Sequence, residues 1–173
     1  MLEHRIATLE RTGDKLGGYA AVYDAPSHPL VVRGLNGNKP FVERVSPGAF
    51  DRSLSQNIQL LVGHDRRELV ANSRSGLLKL ESDERGLAFE VSLPDTQRAR
   101  DVRAMVEAGI LAEMSFGFIV RSDSWNGSER TLKEVDLREV SIVENGAYPQ
   151  TLAEARTYSP ALARLRLRLR AYT

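Results

Sequence analysis

Three side chains in this sequence could together turn a hydroxyl into a nucleophile: Ser115, His64 and Glu139. A serine hydroxyl needs a base to react at neutral pH, and histidine, with an ordinary pKa of about 6.5, is the usual one. Of the three histidines, His4 lies in a charged N-terminal stretch and His28 sits between Ser27 and Pro29 in a loop-like segment. His64 ends the apolar run Ile58-Gln59-Leu60-Leu61-Val62-Gly63, which reads as a buried strand, and is the best placed of the three. A third group must orient the imidazole and stabilise its charged form. By strict alternation Glu139 shares a face with Val135, Leu137 and Val143, where an unpaired carboxylate is costly and a histidine would supply the partner. Asp136 is the alternative third member. It falls on the other face with Arg138, Val140 and Ile142, where an arginine could pair with it. Each residue also has a plainer reading, and taken singly the residues leave both open. Ser115 could be an ordinary strand serine, His64 a turn or capping histidine, and Glu139 half of a local ion pair.

The stretch that must carry Ser115 is Leu111 to Val120. From Ser115 onward, Ser115, Gly117 and Ile119 point one way along a strand and Phe116, Phe118 and Val120 the other. The large face can fill a core. The small face leaves room for another chain to approach and displays one hydroxyl.

Other chemistries fit poorly. Gly17-Gly18 is a turn signal and no phosphate-cradling loop is present. His64 with Asp65 and Glu68 does not make the two-histidine helix of a zinc protease, and no Gly-x-Ser-x-Gly elbow occurs. No metal and no cofactor is expected. The chain has no cysteine, which removes disulfides, cysteine nucleophiles and cysteine metal sites. A net charge of +1 over 173 residues argues for no global field toward nucleic acid or membrane. No stretch approaches the roughly 18 uninterrupted apolar residues of a membrane span, and the N-terminus lacks an apolar signal core.

The elements around these residues read as short strands. Ile6–Leu9 and Tyr19–Tyr23 are two, followed by a long irregular segment, 24–38. Phe41, Val42 and Val45 resume an extended pattern, and Pro47 to Leu54 predicts a short helix with Ser46 as N-cap. Leu77–Glu81 and Leu87–Leu93 make a hairpin. A helix then follows Asp95 or Thr96, with Ala99, Val102, Val106 and Ile110 on its apolar face and Gly109 at its exit. A second hairpin runs from Ser115–Arg121 through a turn at Trp125-Asn126-Gly127 and back along Leu132–Val143. Gly146–Gln150 closes this part. About seven short strands with one clear helix predict a mostly β fold with few helices, an antiparallel sheet closed or partly closed into a barrel. The expected domain is 1–151. Residues 152–173 read as a linker and a basic amphipathic tail, with four arginines in Arg164–Arg170.

Taken in order, six motifs resemble one family. They are Gly18-Tyr19-Ala20-Ala21-Val22-Tyr23, Val45-Ser46-Pro47-Gly48-Ala49-Phe50, Leu61-Val62-Gly63-His64-Asp65, Gly86-Leu87-Ala88-Phe89-Glu90 with Leu93-Pro94-Asp95-Thr96, Met114-Ser115-Phe116-Gly117-Phe118, and Glu139-Val140-Ser141-Ile142-Val143 with Ala147-Tyr148-Pro149. The stretch from about Gly17 to Thr151 resembles the prohead proteases of tailed bacteriophages, which are related in fold to the herpesvirus assemblins. The sequence departs from that pattern at Gly63 and Gly146. The resemblance implies a serine endopeptidase of capsid maturation acting inside the prohead in the bacterial host cytoplasm. Its substrates would be segments of scaffold or major capsid protein, and its own chain a further one; the prohead shell would be its partner. It admits a homo-oligomer and calls for no membrane, no specific nucleic acid and no cofactor. It matches Ser115 to the nucleophile, His64 to the base and Glu139 to the acid, with Met114, Phe116 and Gly117 as substrate-binding positions. Two other readings stay open beside it: a catalytically silent, capsid-associated barrel, and a ligand- or nucleic-acid-binding barrel with the arginine tail as its basic patch.

Overall fold

In a computed structural model, residues 15–144, 146 and 152–154 are described. Their strands are β1 (Lys15–Val22), β2 (Val42–Val45), β3 (Gln59–Val62), β4 (Asp65–Asn72), β5 (Leu78–Ser82), β6 (Gly86–Ser92), β7 (Glu113–Asn126), β8 (Glu129–Val143) and β9 (Leu152–Glu154). One α-helix, α1, spans Gln97–Glu107. The expected strand at Ile6–Leu9, most of Gly146–Gln150 and nearly all of the tail lie outside the described residues.

β7 and β8 form the long hairpin at the centre, paired from Glu113↔Val143 to Asn126↔Glu129. The turn expected at Asn126-Gly127 is there, closing the hairpin through Gly127 and Ser128. The free edge of β8 is then shared end to end. β2 pairs in parallel with Glu129–Leu132 and β3 in parallel with Glu139–Ile142. Between them, segment 46–53 takes over that edge. Ser46 N–H donates to the Leu132 carbonyl, Val135 N–H to the Ala49 carbonyl, and Ser53 Oγ bridges the Val135 carbonyl and the Leu137 N–H at 2.8 and 2.9 Å. β4 adds antiparallel to β3 at the outer side. The other sheet is antiparallel throughout, in the order β5-β6-β1-β9.

The expected closed barrel is therefore not formed. There are two sheets, and the one holding β8 is mixed rather than antiparallel. Several local expectations also change. Segment 47–54 is helical only as a 3-10 turn at Asp51–Ser53: its N–H groups at Ala49, Asp51, Ser53 and Leu54 each bond the carbonyl three residues back, and the Ala49 carbonyl and the Ser53 hydroxyl are taken by β8. β4 was not expected. Its Asp-Arg-Arg-Glu start suits an edge strand, where charge blunts strand addition, and hides the alternation that would announce it. Residues 152–154, expected to begin the linker, pair with Gly17–Tyr19 of β1 as β9.

α1 forms as its pattern predicts. The Thr96 hydroxyl accepts from the Ala99 N–H at 3.2 Å, and Ala99, Val102 and Val106 are buried. The helix ends sooner than the spacing suggests. Gly109 adopts φ +71° and the Ile110 N–H reaches back to the Met105 carbonyl, a Schellman end that leaves Ile110 exposed. The core lies between the sheets and under this helix, with Leu16, Phe50, Leu60, Phe89, Met114 and Val140 among its fully or nearly fully buried members.

Candidate active site

Two tight structures set the site. The first is the connection from β3 to β4. Val62 pairs with Asp65, so only Gly63 and His64 turn the chain, with φ of +59° and +61°. Positive φ at both central residues is the hairpin turn whose twist matches its strands. It places the His64 ring within hydrogen-bond reach of β8 and β7 at the end of β3. Two backbone bonds hold it there: Gly63 N–H to the Ile142 carbonyl at 3.0 Å and His64 N–H to Ser141 Oγ at 3.2 Å.

The second is a bulge in the β7–β8 hairpin. Gly117 pairs with Glu139, but Phe118 pairs with Leu137, so Arg138 is an extra residue. Directly opposed residues share a face. Ser115, Gly117, Glu139 and Ser141 therefore lie on one face, while Met114, Phe116, Val140 and Ile142 enter the core. The predicted alternation holds on β7. On β8 it fails at Arg138: Glu139 leaves the face of Val135 and Leu137 and joins that of Ser115. Asp136, opposite Ile119, falls on this face too, rather than the other one.

The side chains then meet in sequence. His64 Nδ1 lies 2.6 Å from Glu139 Oε1, and His64 Nε2 lies 3.0 Å from Ser115 Oγ. A carboxylate can only accept, so Nδ1 carries the ring proton and the Nε2 lone pair faces the serine hydroxyl. The hydrogen bond to Glu139, its largest influence, raises the His64 pKa above its ordinary value; partial burial acts against it. Glu139 is mostly buried, with 13% of its side chain exposed against 45% for His64. Its remaining oxygen, Oε2, accepts from Ser141 Oγ at 2.6 Å. Ser141 is a member that the motif reading did not single out. The signal was available, because Ser141 follows Glu139 by two residues and shares its face in any strand register.

Asp136 is engaged elsewhere. Its carboxylate accepts from Arg121 Nε at 2.7 Å and also pairs with Arg138, and the Arg121 hydrogen bond holds its pKa below the usual carboxylate value. Of the residues expected to touch substrate, Met114 is fully buried and Phe116 nearly so, stacked edge-on against Phe50. Gly117 lies beneath the Glu139 carboxylate, and a Cβ there would come within 2.2 Å of Oε1. An open cleft of about 310 Å³ is lined by Ser115 and Phe116 and walled by Leu30, Val32, Phe41, Phe118 and Val120; Met114 and Gly117 do not line it. At its border, Arg130 bonds Glu43 at 3.1 Å and Asp123 at 2.8 Å. Among the described residues no group of acidic or histidine side chains could hold a metal ion.

Comparison with solved structures returns herpesvirus proteases. The varicella-zoster virus protease is 14% identical, with 92% of this chain and 77% of that one covered and a TM-score of 0.48. A Kaposi's sarcoma herpesvirus protease bound to an allosteric inhibitor is 11% identical, with 92% and 91% covered and a TM-score of 0.49. The KSHV protease bound to a hexapeptide phosphonate inhibitor is 12% identical, with a TM-score of 0.48; 80% of this chain is covered, and it spans 63% of that protein's length. No curated protein sequence matches the chain. A family model described as Caudovirus prohead serine protease matches residues 2–163. That match runs through every strand and the helix described above, and the chain belongs to the Caudovirus prohead serine protease family.

Proposed function

We propose that this protein hydrolyses peptide bonds of scaffold or capsid-protein segments inside the prohead, during phage capsid assembly in the host cytoplasm, with Ser115 as nucleophile, His64 as general base and acid, and Glu139 as the acid that orients the imidazole. The observation that carries this reading is the hydrogen-bonded chain Ser115 Oγ–His64 Nε2 at 3.0 Å and His64 Nδ1–Glu139 Oε1 at 2.6 Å, in a member of a serine protease family.

The reaction follows from that geometry. Nε2 accepts the Ser115 proton as Oγ attacks the scissile carbonyl, and the imidazolium that forms is stabilised by the adjacent carboxylate. The same proton goes from Nε2 to the leaving amine as the C–N bond breaks, which leaves an ester on Ser115. Water, deprotonated by His64, then releases the second product and restores the hydroxyl. The substrate approaches in extended form along the apolar cleft that Ser115 lines, beside Leu30 and Val32.

The test is to incubate the purified protein with the scaffold protein of its phage and to follow the products by mass spectrometry. Defined fragments that are absent with Ser115→Ala support the reading. An intact scaffold with wild-type protein returns the chain to a silent, capsid-associated role. Binding that falls steeply with salt, without cleavage, points to the nucleic-acid-binding alternative.

A further inference from the structure

Ser141 stands on β8 opposite Ser115 and two residues from Glu139, and it is fully buried. A hydroxyl donates one hydrogen bond and accepts two. The His64 backbone N–H can only donate, so Ser141 Oγ must accept from it, at 3.2 Å. The single hydroxyl proton is thereby left for Glu139 Oε2, at 2.6 Å. The other oxygen of that carboxylate takes Nδ1–H of the same histidine at 2.6 Å. The bonds close a ring in which both donor chains leave His64 and converge on Glu139, one from the His64 backbone through Ser141 and one directly from the His64 ring.

We propose that Ser141 is a positioning residue of the proteolytic site, fixing at once the rotation of the Glu139 carboxylate and the backbone of His64 so that Nε2 is held on Ser115. This rests on the proteolytic reading of Ser115. The last torsion of a glutamate is broad and roughly two-fold, so a carboxylate held at one oxygen is far better defined at the other. His64, at φ +61°, occupies a region that residues with a Cβ rarely adopt, and the bond to Ser141 is made by its own N–H. A serine that only satisfied a buried N–H would serve one of these groups. Ser141 joins the main chain of the histidine to the group that orients its ring.

The test uses the full chain, a fluorophosphonate probe that labels Ser115, and the downfield proton NMR signal of His64 Nδ1–H in unliganded protein. For Ser141→Ala we expect the maximal labelling rate to fall roughly tenfold to a hundredfold, because the His64 N–H and Glu139 Oε2 both lose their hydroxyl partner. The probe concentration for half-maximal rate stays unchanged, and the Nδ1–H signal moves upfield or broadens. Ser141→Thr, or Ser141→Cys where the extra methyl is not accommodated, recovers part of both. Wild-type labelling and signal in Ser141→Ala overturn the proposal. So does a slower variant whose Nδ1–H signal is unmoved, since Ser141 is then structural only. Failure of the proteolytic reading is recognised separately, as wild-type labelling no different from that of Ser115→Ala. The NMR comparison needs no substrate and still decides whether Ser141 holds Glu139 on His64.

Discussion

Glu139 lies across the strand pair from Gly117, and its carboxylate occupies the space where a Gly117 side chain would be: an added Cβ would approach Oε1 to 2.2 Å and the side-chain carbons to about 3 Å. The backbone at Gly117 is not left-handed, so the Glu139 side chain alone stands against an alanine there and must shift to admit one. Gly117→Ala is therefore expected to give a folded protein in which the carboxylate is pushed off His64, with turnover reduced at least about tenfold. In a Glu139→Ala background the same substitution should do almost nothing further, because the clash has been removed. A double-mutant cycle of turnover measures this, and additive losses would show that Gly117 serves substrate approach rather than Glu139.

Ser115→Ala and His64→Ala are each expected to lower turnover on the order of 10⁴-fold or more while the fold persists, since both side chains stand on the open face of the sheet. The double variant should be no worse than either single one, because members of a catalytic unit fail together. Circular dichroism alongside single-turnover cleavage separates lost chemistry from lost structure. Appreciable Ser115-independent cleavage would sink the assignment.

Glu139 and Asp136 should respond in opposite ways. Glu139→Gln keeps the shape and removes the charge that stabilises the imidazolium, so turnover should drop about 10³- to 10⁴-fold with little change in melting temperature. Asp136→Asn removes the charge paired with Arg121 and Arg138, at a distance from the imidazole. It should lower the melting temperature and leave turnover close to wild type. Strong loss of turnover from Asp136→Asn with little from Glu139→Gln would exchange the two roles.

These two carboxylates also show what could be read in the sequence and what could not. The alternation after Ser115 and the apolar run ending at Gly63 mark Ser115 and His64 as candidates, because each depends on local pattern alone, while the roles of nucleophile and base rest on the family resemblance. Glu139 was singled out as a buried acid needing a partner. That holds, although it lies on the opposite face from the one expected. Strict alternation runs straight through Arg138, and nothing local in Leu137-Arg138-Glu139 announces an extra residue there; the bulge shows only across the strands, where Gly117 meets Glu139 and Phe118 meets Leu137. The barrel failed for a related reason. Counting strands does not say which edges join, and here one edge of β8 accepts β2, the 46–53 segment and β3 in turn. The left-handed turn at Gly63-His64 was half visible in its glycine, while its histidine is held by Ser141, a contact made across 77 residues of chain.

The pH dependence follows from the raised His64 pKa. Nε2 can accept the Ser115 proton only when the ring is neutral, so kcat/KM should fall as pH drops through the His64 pKa, at a value above the ordinary 6.5. The first cause of the raised pKa is the hydrogen bond to Glu139, so Glu139→Gln should move this acid limb to lower pH even as it lowers the plateau. The same shift carries a stability term of fixed sign. A histidine whose folded pKa lies above its unfolded one binds its proton more tightly in the folded state. The His64–Glu139 pair therefore adds stability that is fully present below the unfolded pKa and fades as pH rises through the folded one. With 45% of the His64 side chain exposed, solvent keeps that contribution small, and the rate profile is the better readout. Measuring kcat/KM from about pH 5 to 9 for wild type and Glu139→Gln checks the sign. An acid limb that stays in place, or moves to higher pH, in the variant would mean that Glu139 does not set the proton affinity of His64.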